Sequence, residues 1–130
     1  MEPVTNGMLA IPKPGIRDRN STLLTLPIPP SANRYWRNYR GITVTSDEAV
    51  AYKQQVRFMC NTVSKIPGDV AVSAHVFRAR KKGDLDNYLK CLLDALQGVI
   101  FENDSAVVEI HAYRHDDKNC PRVEVEAWEA

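Results

Sequence analysis

Two aspartates, Asp84 and Asp86, stand at the head of the stretch "GDLDNYLKCLLDAL", directly behind Arg80, Lys81 and Lys82. If Asp84 is still extended where the helix begins, both carboxylates converge on one point, whereas an i,i+2 pair in mid-helix would diverge. Converging hard oxygen donors suit Mg²⁺, with Mn²⁺ as a possible substitute, and leave positions open for water and phosphate oxygens. A third acid, Asp104, lies in the polar turn "FENDS" beyond the helix. A helix of about twelve residues carries the chain roughly 18 Å away, so Asp104 joins the pair only if the backbone folds back or a second subunit supplies it. A metal held in this way hydrolyses phosphodiesters by activating water and neutralising the leaving oxygen. Lys90, four residues after Asp86, would stabilise the developing charge. The plainer alternative is a favourable helix terminus with one acid as its cap. In that case Asp86, Lys90 and Asp94 form a row of surface ion pairs worth only about 0.3–0.5 kcal/mol each.

A second cluster precedes the acids. In "SANRYWRNYRG", Arg34, Arg37 and Arg40 recur at every third position among Tyr35, Trp36 and Tyr39. Arginine forks engage phosphates and exposed aromatics stack on unpaired bases; the competing reading is that the rings plug the core while the arginines stay solvated. With Arg80, Lys81 and Lys82, the loop suits DNA better than a small diphosphate. Arg34, Tyr35, Trp36, Arg37, Arg40, Arg80, Lys81 and Lys82 are the candidate DNA-binding residues. His111, His115 and Cys120 are set aside as a zinc site, because i and i+4 in a strand lie about 13 Å apart.

The formal net charge of +1 hides an asymmetry. Residues 1–82 carry 13 Lys and Arg against 5 Asp and Glu, and residues 83–130 carry 4 against 11, so the two parts are +8 and −7. Such a division fits a protein that holds a polyanion and also holds metal ions against it; it fits equally two halves that attract each other. The 130 residues, 44% hydrophobic and 25% charged, suit one domain with a modest core. There is no apolar run of membrane-spanning length and no signal core, so a soluble, cytoplasmic protein is expected. The three cysteines, Cys60, Cys91 and Cys120, have no CxxC spacing and read as buried or idle thiols.

The elements that must position these residues follow from periodicity. Residues 1–20 read as a flexible N-terminal extension and residues 21–130 as the folded domain. A first strand is expected at 22–28, ended by Pro29 and Pro30, and "SANRYWRNYRG" reads as a loop. Thr45 with Glu48 suggests a capping box for a helix over 46–64, with Ala49, Tyr52, Val56, Met59 and Val63 on its buried face. Alternating Val70, Val72, Ala74 and Val76 predict a half-buried strand. Leu85, Leu89, Leu92, Leu93 and Leu96 mark the second helix, with Gly98 placed to stop it. Strands at 106–115 and 122–128 close the chain, joined by "DDKNCP" as a hairpin loop. The fold class is α+β, a mixed β-sheet with two main amphipathic helices on one face.

The residues over about 22–128 resemble the RusA family of Holliday junction resolvases, small endodeoxyribonucleases often encoded by prophages. The likeness rests on "LPIPPSANRYWR" followed by "RG", on "GDLDNYLKCLLDAL" and on "FENDSAV", in that order. It implies that Asp84, Asp86 and Asp104 bind a catalytic Mg²⁺ and that Lys90 assists at the phosphate. It also implies a RusA-like homodimer, in which the acids can meet through the assembly and two equivalent sites face the two opposed strands of a four-way junction. The expected activity is symmetric paired nicking in DNA recombination and repair. The chain departs from the family pattern at Gly83, where a basic residue is common, and at Asn103, where an acid is common. Two rivals stand beside this: a non-catalytic DNA-binding module, and a Mg²⁺-dependent enzyme acting on a small phosphorylated substrate.

Overall fold

A computed structural model describes residues 21–79 and 84–130. The expected extension at 1–20 and the basic run Arg80, Lys81 and Lys82 lie outside the described residues. Strand β1 (Thr22–Leu26) stops short of the prolines. A helical turn α1 (Ala32–Tyr35) then leads into a hairpin of β2 (Trp36–Tyr39) and β3 (Ile42–Thr45). The expected loop is therefore an ordered antiparallel ribbon. Its two-residue turn has positive φ at both Arg40 (52°) and Gly41 (77°), the backbone handedness that matches the twist of paired strands.

Helix α2 (Asp47–Met59) is capped by Ser46, not Thr45: the Ser46 side chain accepts from the Ala49 N–H at 3.1 Å. Ala49, Tyr52 and Val56 are buried as their spacing requires, but Met59 is exposed and Val63 lies beyond the helix end. Strand β4 (Val70–Arg78) follows, then helix α3 (Leu85–Leu96), a 3₁₀ turn (Asp104–Ala106), β5 (Val107–Asp116) and β6 (Arg122–Glu129). Gly98, at φ 81°, follows the end of α3 and its N–H donates to the Phe101 carbonyl at 2.7 Å.

The main sheet has the order β1-β6-β4-β5. β5 runs parallel to β4 because α3 returns the chain to the start of β4 before β5 begins. β6 runs antiparallel to both β4 and β1. The last two strands are therefore not a hairpin. β4 lies between them, and the connection crosses its end, where the Asp117 N–H donates to the Arg78 carbonyl at 2.7 Å.

One face of the sheet carries the core. Val70, Val72, Ala74 and Val76 of β4 and Val123, Val125 and Ala127 of β6 pack with Ala49, Tyr52 and Val56 of α2 and Cys91, Leu92, Ala95 and Leu96 of α3. Each fully buried large aliphatic side chain contributes about 1.5–3 kcal/mol. This is the anticipated α+β arrangement. β4 differs from expectation in being buried on both faces. On its other face His75 and Phe77 stack with Tyr113 and His115 at centroid distances of 4.7 and 4.5 Å, and the Arg122 guanidinium lies 3.9 Å from the Phe77 ring centre. Cys60 and Cys91 are buried, and burial pushes the Cys91 thiol up to about 11, while Cys120 is exposed. Among the described residues no helix is long and apolar enough to cross a membrane.

Candidate active site

Helix α3 forms where the leucine stripe meets the sheet, and its first turn presents the acids. Asp84 is the N-cap residue, extended at φ −87° and ψ 147°, and Asp86 lies in the first turn; both are exposed. The Asp84 backbone carbonyl accepts from the N–H groups of Asn87 and Tyr88 at 3.2 and 3.3 Å, but its side chain makes no capping bond. The carboxylate is thus not used in the way the plainer reading required.

Asp84 borders a cleft of about 980 Å³ between the start of α3 and the outer turns of α2, with Arg34, Glu48, Gln55, Arg78 and Asn87 among its lining. The wall is firm. Tyr52 donates its hydroxyl to the Pro27 carbonyl at 2.7 Å, and burial raises the pKa of that phenol. Arg78 is 5% exposed and pairs with Asp116 at 3.0 Å. Arg34 forks onto Glu48, with Nε donating to Oε1 at 3.1 Å, so this cation reaches the cleft already paired.

The row Asp86, Lys90, Asp94 does not act as one face. Asp94 is turned toward α2 and α1, where it accepts from the Tyr35 hydroxyl at 2.6 Å and pairs with Lys53 at 2.8 Å. Lys90 is exposed on the outer side of α3. Tyr35 has no exposed surface, and burial followed by the Asp94 hydrogen bond raises its pKa. Its ring is therefore not offered to a base, which corrects its place among the candidate DNA contacts. Trp36 is half-buried against it at 4.8 Å. Arg37 and Arg40 are exposed along the hairpin.

Asp104 lies at the other end of α3. Its N–H donates to the Gln97 side chain at 3.0 Å, and Asn103 caps the short 3₁₀ turn by accepting from the Ser105 N–H at 3.0 Å. The twelve residues of α3 put about 18 Å between this turn and Asp84. One chain therefore brings Asp84 and Asp86 to the same helix end and does not bring Asp104 to them. Among the described residues no three His, Cys, Asp or Glu side chains gather as a metal site. The pair at the head of α3 has the donor type a hard cation takes, short of the ligand count it prefers. Asn87, unremarked in the sequence, and Glu48, expected there only as part of a capping box, both belong to the cleft; Asn87 could have been found as the residue one step past Asp86 on the same helical turn.

A family model described as Endodeoxyribonuclease RusA matches residues 27–127. The chain is 39% identical over 94 residues to the crossover junction endodeoxyribonuclease RusA of Escherichia coli strain K12, covering 68% of this chain and 78% of that protein. The identity is again 39% over the same shares with the protein of that name from Shigella sonnei. It is 37% with the one from Enterobacteria phage 82.

Proposed function

Because the chain belongs to the RusA family of endodeoxyribonucleases, we propose that it resolves four-way DNA junctions by metal-dependent phosphodiester hydrolysis. The observation that carries the reading is the pair of exposed acids at the head of α3, neither spent on capping the helix. Asp84 and Asp86 would hold Mg²⁺, with Mn²⁺ able to replace it, and Asp104 would complete the set. A cation held by these acids would supply an activated water and neutralise charge at the scissile phosphate. Lys90 stabilises the same developing charge from one turn further along the helix. Arg37 and Arg40, with Arg34, Arg80, Lys81 and Lys82, hold the phosphate backbone.

The acids meet if two copies of the chain join along β5. β5 forms one edge of the sheet and exposes Val108 and Ile110 at 56% and 44%. An antiparallel β5 pairing about a two-fold axis would set the beginning of one strand beside the end of the other. The end of β5 is Asp116, paired at 3.0 Å with Arg78, the last residue of β4. Asp104 of the second copy would then lie within one or two strand spacings, about 5–10 Å, of the end of β4. A dimer of this kind carries two sites related by the same axis as the junction.

The test is cleavage of a synthetic four-way junction beside a linear duplex of the same arms, with Mg²⁺ and with chelator. Paired nicks on the junction alone, and only with metal, are expected. Junction binding without cleavage under any metal would leave a DNA-binding module, and cleavage of both substrates alike would remove the junction selectivity.

A further inference from the structure

The β2–β3 hairpin is a ribbon separate from the main sheet, with a fixed base and a free tip. At the base, the Ser46 N–H donates to the Tyr35 carbonyl at 2.8 Å, and Trp36 packs on the buried Tyr35 ring. Toward the tip every residue from Arg37 to Thr43 is exposed. The last paired residues before the turn are Tyr39 and Ile42, opposite each other and 52% and 63% exposed. Two large apolar side chains thus crown the ribbon with more than half of their surface exposed. The Arg40 guanidinium lies 5.3 Å from the Tyr39 ring centre, and Arg37 lies two residues before Tyr39 on β2.

Resting on the junction-resolving reading, we infer that Tyr39 and Ile42 form a wedge that enters the branch point and covers the faces of bases unstacked there. The arginines and the apolar pair have different ligands. Guanidinium groups take phosphates wherever DNA is present, whereas an apolar tip gains only where a base face is bare. Intact duplex offers no such face, and a branch point does. A two-stranded ribbon is narrow enough for a groove about 12 Å wide, and the tight turn at Arg40 and Gly41 keeps its end slim. Four residues of strand reach about 13 Å, near four base steps of about 3.4 Å. Arg34, at the foot of the ribbon, borders the cleft that holds Asp84. The wedge therefore sits a few base steps from the cutting site and sets where, relative to the branch, the strand is nicked.

The test uses the full chain, chelator to prevent cutting, and a junction carrying 2-aminopurine beside the branch. Wild type should raise its fluorescence as the base unstacks; Tyr39→Phe should keep the rise, and Tyr39→Ala with Ile42→Ala should lose it. Junction affinity of the double variant should fall about tenfold, the scale of one lost base stack. Affinity for linear duplex should change less than about twofold, since the phosphate contacts remain. Both positions are exposed, so an unchanged thermal midpoint shows that the fold is intact. A double variant that unstacks the base as fully as wild type overturns the wedge, as does an equal loss on duplex. Wild type without preference for the junction overturns the wedge and the parent reading together. A wild type that unstacks the junction through Tyr39 yet never cuts it in Mg²⁺ supports the wedge and removes the nuclease reading alone.

Discussion

Asp84 occupies in α3 the position that Ser46 occupies in α2, yet only Ser46 bonds its own helix. The serine accepts from the Ala49 N–H at 3.1 Å; the aspartate side chain accepts nothing from the turn it precedes. Replacing it therefore removes a carboxylate and no capping bond. Asp84→Asn or Asp86→Asn should cut junction cleavage by at least about a hundredfold while leaving the thermal midpoint and junction binding intact. Normal nicking by either variant would remove the metal role from these residues.

Supply of Asp104 by a second copy has a distinctive genetic signature. Asp84→Asn and Asp104→Asn proteins, each inactive alone, should regain nicking when mixed under conditions that exchange subunits. In the mixed dimer one site holds both substitutions and the other holds none. The product should be single nicks, because one live site per dimer cannot cut both strands. If all three acids acted within one chain, every site in the mixture would carry one substitution and no activity would return.

The part-buried link between Tyr35, Asp94 and Lys53 makes a stability prediction. Asp94→Ala would leave the Tyr35 hydroxyl without its acceptor in a ring that has no exposed surface. The expected loss is about 1–3 kcal/mol, the usual cost of an unsatisfied buried hydroxyl. Tyr35→Phe should cost less, since it removes the polar group with its bond. Urea unfolding of both variants measures the difference, and equal losses would show that the hydrogen bond is not what stabilises this corner.

Acid should weaken the sheet through His115. Its Nε2 lies 3.0 Å from Nδ1 of His75, so one proton can be shared between the two rings. Burial lowers the His115 pKa, partly opposed by Glu124, with Arg122 lowering it further and Asp116 raising it. The unfolded chain then binds a proton at a higher pH than the folded one. Stability should fall as pH drops from about 6.5 toward the depressed folded value, and level off below that. His115→Gln should flatten this slope in urea midpoints taken between neutral and mildly acidic pH. An unchanged slope would place the titration elsewhere.

Much of the fold was legible because helices announce themselves by spacing. Ala49, Tyr52 and Val56 marked α2, and Leu92 and Leu96 marked α3, each by steps of three and four. The hairpin is hidden by its arginines and aromatics, which follow neither structural period, although "ITVT" after "RG" is a β-branched run behind a two-residue turn. The pairing of β5 and β6 could not be read at all, because alternation shows that a strand has two faces and not which strand lies beside it. The two acids at positions 84 and 86 were visible as a pair, and the length of α3, about twelve residues, was legible from its leucine spacing. What no spacing could reveal was that Tyr35 faces inward and that Asp94 is taken by Lys53.

The placement of β6 between β1 and β4 has a consequence for how the chain acquires its shape. Thr22 pairs with Ala127, partners separated by nearly the whole folded length, so this ladder closes one of the largest loops the chain can form. The unit of β4, α3 and β5 is local by comparison. Folding should be slow for a chain of this size, since non-local pairing dominates the rate, with the last strand as the late, rate-setting insertion. Until it docks, β4 has a bare edge on one side, and the partly folded molecule is most exposed to mispairing at that moment.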